Sequence, residues 1–179
     1  MRKVSLEQIS YNNKGSYGIP APAIDKESVN DISYLRITDI SDDGIIPSKL
    51  PKTIDVHKNK NYENYFVNKN DLLIARTGYL GRNYFCNINN PKMVYGGYLI
   101  KFSIIKTEEL IPLYVKYFFQ SEICKKQILS LSGRGSAIDG INEKLMRQIK
   151  IPLPDLSTQQ YIIDIIGMLS KILLSLLPK

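Results

Sequence analysis

Apolar and polar residues alternate in short stretches through the first two thirds of the chain. "SYLRITDI" (33–40) has the period of two of a half-buried strand and closes on the Asp43-Gly44 turn. "DLLIART" (71–77), "RNYFCNI" (82–88) and the long "MVYGGYLIKFSII" (93–105) predict three further strands. Ser5-Leu6-Glu7-Gln8 has the form of a capping box and predicts a short helix ending near Gly15. Residues 16–32 and 47–65 read as loops.

The period lengthens after residue 111. Pro112 suits a first helical turn, and Leu113, Tyr117, Phe118, Cys124, Ile128 and Leu131 recur at near-helical spacing until Gly133. The glycine-rich "SGRGSAIDGIN" (132–142) predicts a loop, residues 143–148 a short helix, and "IKIPLP" (149–154) a last strand that two prolines end. Leu156 then stands as a hydrophobic staple before a second capping box, Ser157-Thr158-Gln159-Gln160. The helix from 158 to 177 carries Ile162, Ile165, Leu169, Ile172 and Leu176 at alternating three- and four-residue steps, the seam of a coiled coil. Its apolar surface exceeds one seam, so a partner helix is expected, with packing on its own domain as the alternative. A membrane span needs about 20 apolar residues with few charges. Here Asp164 and Lys171 interrupt a shorter run, so no span is expected.

Composition changes the picture in one respect. With 24 Lys+Arg against 17 Asp+Glu, the 179-residue chain carries +7, which favours an anionic partner and nucleic acid first. Cys86 and Cys124 form no CxxC and His57 is the one histidine, so no metal site is expected. Two lone cysteines and the absence of an apolar stretch in "MRKVSLEQIS" predict a reduced, cytoplasmic protein without a secretory signal. No nucleophile elbow or Ser/His/Asp set occurs, and nothing singles out a pair among Asp25, Asp39, Asp42, Asp43 and Asp71. The pattern is that of a binder rather than an enzyme, and no cofactor is expected.

Two loops carry the candidate chemistry. The turn of "LIARTGYLGRNYF" (73–85) holds two arginines, two glycines and a tyrosine within seven residues, more than a hairpin needs. Gly78 and Gly81 let the chain turn so that Arg76, Thr77, Tyr79, Arg82 and Asn83 converge. Arginine matches guanine O6/N7 or phosphate, asparagine matches adenine, and hydroxyls suit phosphate oxygens. An ordinary solvated turn is the competing reading. "GRGSAIDGIN" exposes backbone N–H groups around Arg134 and Ser136 that could hold phosphate, against the alternative of a flexible connector. Among twelve tyrosines, Tyr17, Tyr79, Tyr84, Tyr95 and Tyr98 accompany basic or glycine positions. Tyr84, Tyr95 and Tyr98 can equally alternate along strands into the core.

Taken in order, "VSLEQIS", "YLRITDISDDGII", "NDLLIARTGYLGRNYF", "GGYLIKF", "GSAIDGIN" and "IPLPDLSTQQYII" resemble one half of the DNA-specificity subunit of type I restriction–modification systems. The helix ending at residue 131, "GSAIDGIN" and the proline-bounded "IPLP" before a capped Gln-Gln helix are the more specific of these signals, and the last coincides with the strand, proline stop and capping box read from the residues. The resemblance implies an α+β fold: a target recognition domain over 1–154 with a mixed, twisted β-sheet and flanking helices, then a C-terminal α-helix over 155–179 that begins a spacer. It implies a non-catalytic subunit that reads a half-site on double-stranded DNA. That subunit directs methyltransferase subunits, which flip and methylate adenine using S-adenosylmethionine, and a restriction subunit where one is present. The DNA-facing residues would be Tyr17, Arg76, Thr77, Tyr79, Arg82, Asn83, Tyr84, Arg134 and Ser136. Complete family members usually carry two recognition domains and two long spacer helices. The single domain and short helix here therefore imply a half-subunit that forms a homodimer, or else a fragment or recombining cassette. A basic protein–protein interaction domain that uses the terminal helix, without a DNA role, is the rival reading.

Overall fold

The computed structural model describes residues 1–28, 30–132 and 140–176. Short strands fill the first part: β1 Lys3–Ser5, β2 Ser16–Tyr17, β3 Ile24–Asp25, β4 Ser33–Leu35, β5 Lys52–Thr53, β6 Asp71–Ala75, β7 Asn83–Phe85, β8 Met93–Tyr95 and β9 Leu99–Ser103. Helices α1 Pro112–Phe119, α2 Glu122–Leu131 and α3 Glu143–Met146 follow, then strand β10 Lys150–Pro152 and helix α4 Leu156–Leu176. The class is α+β, with antiparallel and parallel pairing both present.

The central sheet has the order β2-β9-β6-β7 and is antiparallel throughout. Both of its faces are covered, which explains why "DLLIA" is an unbroken apolar run rather than an alternating one. Leu72, Ile74, Ile100 and Phe102 face α1 and α2, in a core shared with Val115, Phe119 and Ile151. Leu73, Ala75 and Leu99 face the other way, against Leu35, Ile40, Tyr95 and Met93. β4 and β8 pair in parallel beside this second core, and β1 pairs antiparallel with β10. The chain thus closes its two distant ends through one ladder.

Four expectations are corrected by the structure. The capping box at Ser5 forms, with Ser5 N–H donating to Gln8 Oε1 at 2.7 Å and Gln8 N–H to Ser5 Oγ at 3.3 Å. It caps only a short 3-10 turn, Glu7–Ile9, because Ser10 goes extended and bridges Ile104, and Asn12 and Asn13 at φ 54° then prevent a longer helix. The strand expected over 33–40 ends at Leu35 and turns into a 3-10 segment at Ile37–Asp39. The long strand over 93–105 splits at Gly96, where the backbone of Gly18 crosses so closely that a Cβ on Gly18 would lie 2.2 Å from the Gly96 carbonyl oxygen. Finally, the helix over 112–131 is two helices, since Ser121 adopts extended backbone and its hydroxyl accepts from the Cys124 N–H.

Helix α4 starts differently from the sequence reading. Asp155, not Ser157, is the cap: its carboxylate accepts from the Ser157 hydroxyl and the Thr158 N–H, which hold its pKa down at about 2. Gln159 is fully buried and makes no capping box. Its Oε1 accepts from Ile111 N–H at 2.9 Å, while its Nε2 donates to the carbonyls of Glu109 at 2.7 Å and Pro154 at 2.8 Å. One side chain therefore ties the start of α4 to the entry of α1. Gln159→Ala is expected to lower unfolding free energy by about 1–3 kcal/mol, because a fully buried side chain and its three hydrogen bonds to partly buried backbone groups are lost. Urea denaturation should show a lower midpoint at unchanged slope.

Candidate nucleic-acid interface

The turn between β6 and β7 is rigid at its base and open at its tip. Ala75 N–H donates to Arg82 O at 2.8 Å, Arg82 N–H to Tyr79 O at 3.0 Å, and Gly81 N–H to Ala75 O at 3.2 Å. Gly78 and Gly81 take φ of 70° and 81°, as the sequence expects of residues that reverse the chain. Beneath the tip, Gly81 rests on Ile128 of α2 and leaves no room to spare: a Cβ there would lie 3.2 Å from Ile128 Cδ1.

Arg76 is the meeting point of three segments. Its Nε donates to Gly97 O at 3.2 Å, and its guanidinium stands 5.3 Å from the ring centre of Tyr17 and 6.0 Å from that of Tyr98. Both distances fit cation–π attraction. The Arg76 backbone bonds to Tyr98 O on one side and to Ile141 N–H on the other, and Thr77 bridges Gly140. The exit of the glycine-rich segment is therefore annealed to the hairpin, which brings together two candidates that lie 60 residues apart in sequence. Arg134 and Ser136 themselves lie outside the described residues. Tyr17 joins the same group, its hydroxyl accepting from Glu143 N–H at 3.2 Å.

Arg82 forms the second half of the site. The ring of Tyr79 covers its guanidinium at 3.8 Å, and Nε donates to Asp42 Oδ1 at 2.9 Å. The rings of Tyr17, Tyr79 and Tyr98 are all about half exposed or more, so the two arginines lie among three accessible aromatic faces. Sequence reasoning missed Asp42 and Gly97 and left Tyr98 as an undecided strand residue. Asp42 sits in a turn 40 residues away, and no spacing signals that pairing.

Asn83 and Tyr84, expected at the interface, point inward. β7 is buried over its whole length. Asn83 Nδ2 donates to Gly81 O at 3.0 Å and Phe119 O at 3.2 Å, so its amide clamps the turn onto α1. The Tyr84 phenol is pushed above its ordinary pKa by burial and keeps its proton. Cys86 and Cys124 are buried free thiols, also raised by burial. Among the described residues no group of three potential ligands could hold a metal.

Helix α4 divides along its length. Ile162 and Ile163 pack into the main core with Tyr117 of α1, and Ile165 is half-buried. Further along, Met168, Leu169 and Ile172 are exposed, and the side chain of Leu176 lies outside the described part. The first half of the helix thus packs on its own domain, and the second half leaves part of its apolar seam exposed. Among the described residues no helix is long and apolar enough to cross a membrane. For the hairpin, Asn83→Ala is expected to cost about 1–3 kcal/mol of stability by orphaning two carbonyls. Thermal or urea unfolding reads that loss.

Comparison with known proteins places the chain by family and by fold. Residues 3–177 match the family described as Type I restriction modification DNA specificity domain. No curated protein matches the chain. Among solved structures, it is similar to the HsdS subunit from Thermoanaerobacter tengcongensis, with TM-score 0.61 and 16% identity over 97% of this chain and 38% of that one. It is likewise similar to the type I restriction–modification S subunit from M. genitalium, with TM-score 0.58 and 13% identity over 95% and 39%. A third match, to a structure titled for complex assembly and conformational transition of the type I R-M system, has TM-score 0.60 and 15% identity over 96% and 42%. The chain spans about two fifths of the length of these proteins, and at such identities the likeness is one of fold. The match over nearly the whole chain places it in a family: this protein belongs to the type I restriction modification DNA specificity domains.

Proposed function

We propose that this chain is a non-catalytic specificity element that reads one DNA half-site and delivers it to the methyltransferase subunits, and to a restriction subunit where present, of a type I restriction–modification system. One observation carries the reading. Arg76 and Arg82 sit on a single hairpin tip among the exposed rings of Tyr17, Tyr79 and Tyr98, with Thr77 joined to the end of the glycine-rich segment. Guanidinium groups supply donors for guanine edges or phosphates, and the rings supply faces for sugar or base. The net charge of +7 adds attraction to any duplex.

Residues 1–154 act as the recognition domain and 155–179 as the start of a spacer. The first turns of α4 fix its direction through Gln159 and Ile163. Met168, Leu169 and Ile172 are left to meet a second helix, and a second copy of this chain would supply one. A two-fold pair would read an inverted repeat, because protein symmetry is mirrored in the site.

Co-expression with the methyltransferase subunit, followed by mapping of methylated adenines, tests this directly. A palindromic gapped motif is the expected result; a soluble chain that adds no methylation contradicts the reading. At the level of residues, Arg76→Ala or Arg82→Ala should weaken specific binding by about 1–3 kcal/mol where the arginine reads a base. Where it holds a phosphate, titrations should show equal losses on all sequences and a shallower salt dependence.

A further inference from the structure

The two arginines of the tip are held by different chemistry. Arg76 lies against rings and a carbonyl, whereas Arg82 directs both Nε and Nη2 at one carboxylate oxygen of Asp42. The Arg82 side chain is 15% exposed and that of Asp42 is 88% exposed, so the arginine is set into the surface and the carboxylate stands above it. The turn that carries Asp42 is itself fastened to the hairpin. Gly44 has φ 72°, and its Cα lies so close to β7 that a Cβ would sit 2.7 Å from Asn83 O. Next to it, Gln120 Nε2 donates to Asp43 O at 2.7 Å. A second loop therefore holds an anion on the donor edge of Arg82.

That edge is the one a nucleic-acid acceptor needs. Phosphate oxygens and the O6/N7 pair of guanine both approach a guanidinium as a carboxylate does. A duplex that engages Arg82 has to displace Asp42 and leave its charge beside the phosphate backbone. A phosphate met out of register, through one oxygen only, restores one of the two hydrogen bonds, whereas an acceptor pair aligned with the donor edge restores both.

We infer that Asp42 is a specificity-determining residue, an internal competitor that withholds Arg82 from arbitrary duplex and yields it to a matched bidentate acceptor such as guanine. This rests on the DNA-reading role of the tip. In this scheme Asp42 lowers affinity for all duplexes but lowers it most for the wrong ones, which is how discrimination arises from a penalty.

The test uses the full chain and short fluorescein-labelled duplexes of random sequence, with anisotropy followed across a salt series. Four proteins are compared with the parent: Asp42→Asn, Asp43→Asn as the neighbouring charge control, Arg82→Ala, and the Asp42→Asn/Arg82→Ala pair. Asp42→Asn should tighten random-duplex binding about five-fold and steepen the log K against log salt slope by about 0.9, as expected for one more uncompensated cation. Asp43→Asn should leave both readings nearly unchanged, and the double variant should bind like Arg82→Ala. Duplexes that Asp42→Asn selects from the random pool should have lost a base preference that the parent retains. Equal gains from Asp43→Asn, or a gain that persists without Arg82, overturn the inference while leaving the DNA role of the tip intact. Failure of every variant and of the parent to bind any duplex overturns the DNA role, and the inference with it.

Discussion

The five-residue ladder between β6 and β9 is the constraint on which the rest of this protein depends. It pairs Asp71 with Ser103 at one end and Ala75 with Leu99 at the other. Side chains alternate faces along a strand, so a slip of one residue would exchange the two cores on either side of the sheet. A polar group pins the register at its first step. Asp71 is 1% exposed, accepts from the Ser103 hydroxyl and the Asn68 N–H, and lies 3.4 Å from the Lys101 ammonium. Lys101 in turn donates to Phe66 O at 2.7 Å. A buried carboxylate with these partners tolerates only the register that supplies them.

What the ladder fixes at its far end is the candidate interface. Beyond Ala75↔Leu99 the next backbone bond runs from Arg76 N–H to Tyr98 O, so the arginine and the exposed tyrosine are set side by side. Gly97, Tyr17 on β2, and Ile141 after the glycine-rich segment come to the same corner because each is bonded to one of these two strands or to the residues just past them. The candidate interface is thus an extension of a fully buried part of the sheet. Binding groups mounted on such a base keep their geometry without ordering a loop at the moment of contact.

The pieces of this architecture differ in how openly the sequence declared them. Strands β6, β7 and β9, the start of α1 at Pro112, and the terminal helix were legible, because each rests on local hydrophobic period and turn chemistry. Several of the places where the reading failed share a cause. Gly96 ends a strand because Gly18 crosses it, and Gln159 abandons a capping box for three partners on distant segments. At β7, Asn83 turns inward to clamp Phe119 O. In every case a contact between residues far apart in sequence overrode a sound local preference.

By itself, then, the sequence determined the alternation that makes the sheet, the basic balance, the two glycines that open the hairpin and the apolar seam of the last helix. Those properties are carried by neighbours within a few residues, where spacing alone dictates which side chains share a face. Only the tertiary structure decided that Arg76 is cradled by Tyr17 and Tyr98, that Arg82 is met by Asp42, and that α4 is apolar towards its own domain at one end and bare at the other. Such pairings arise when packing brings separate segments to one corner, and their strength depends on distance and burial, which no spacing along the chain records.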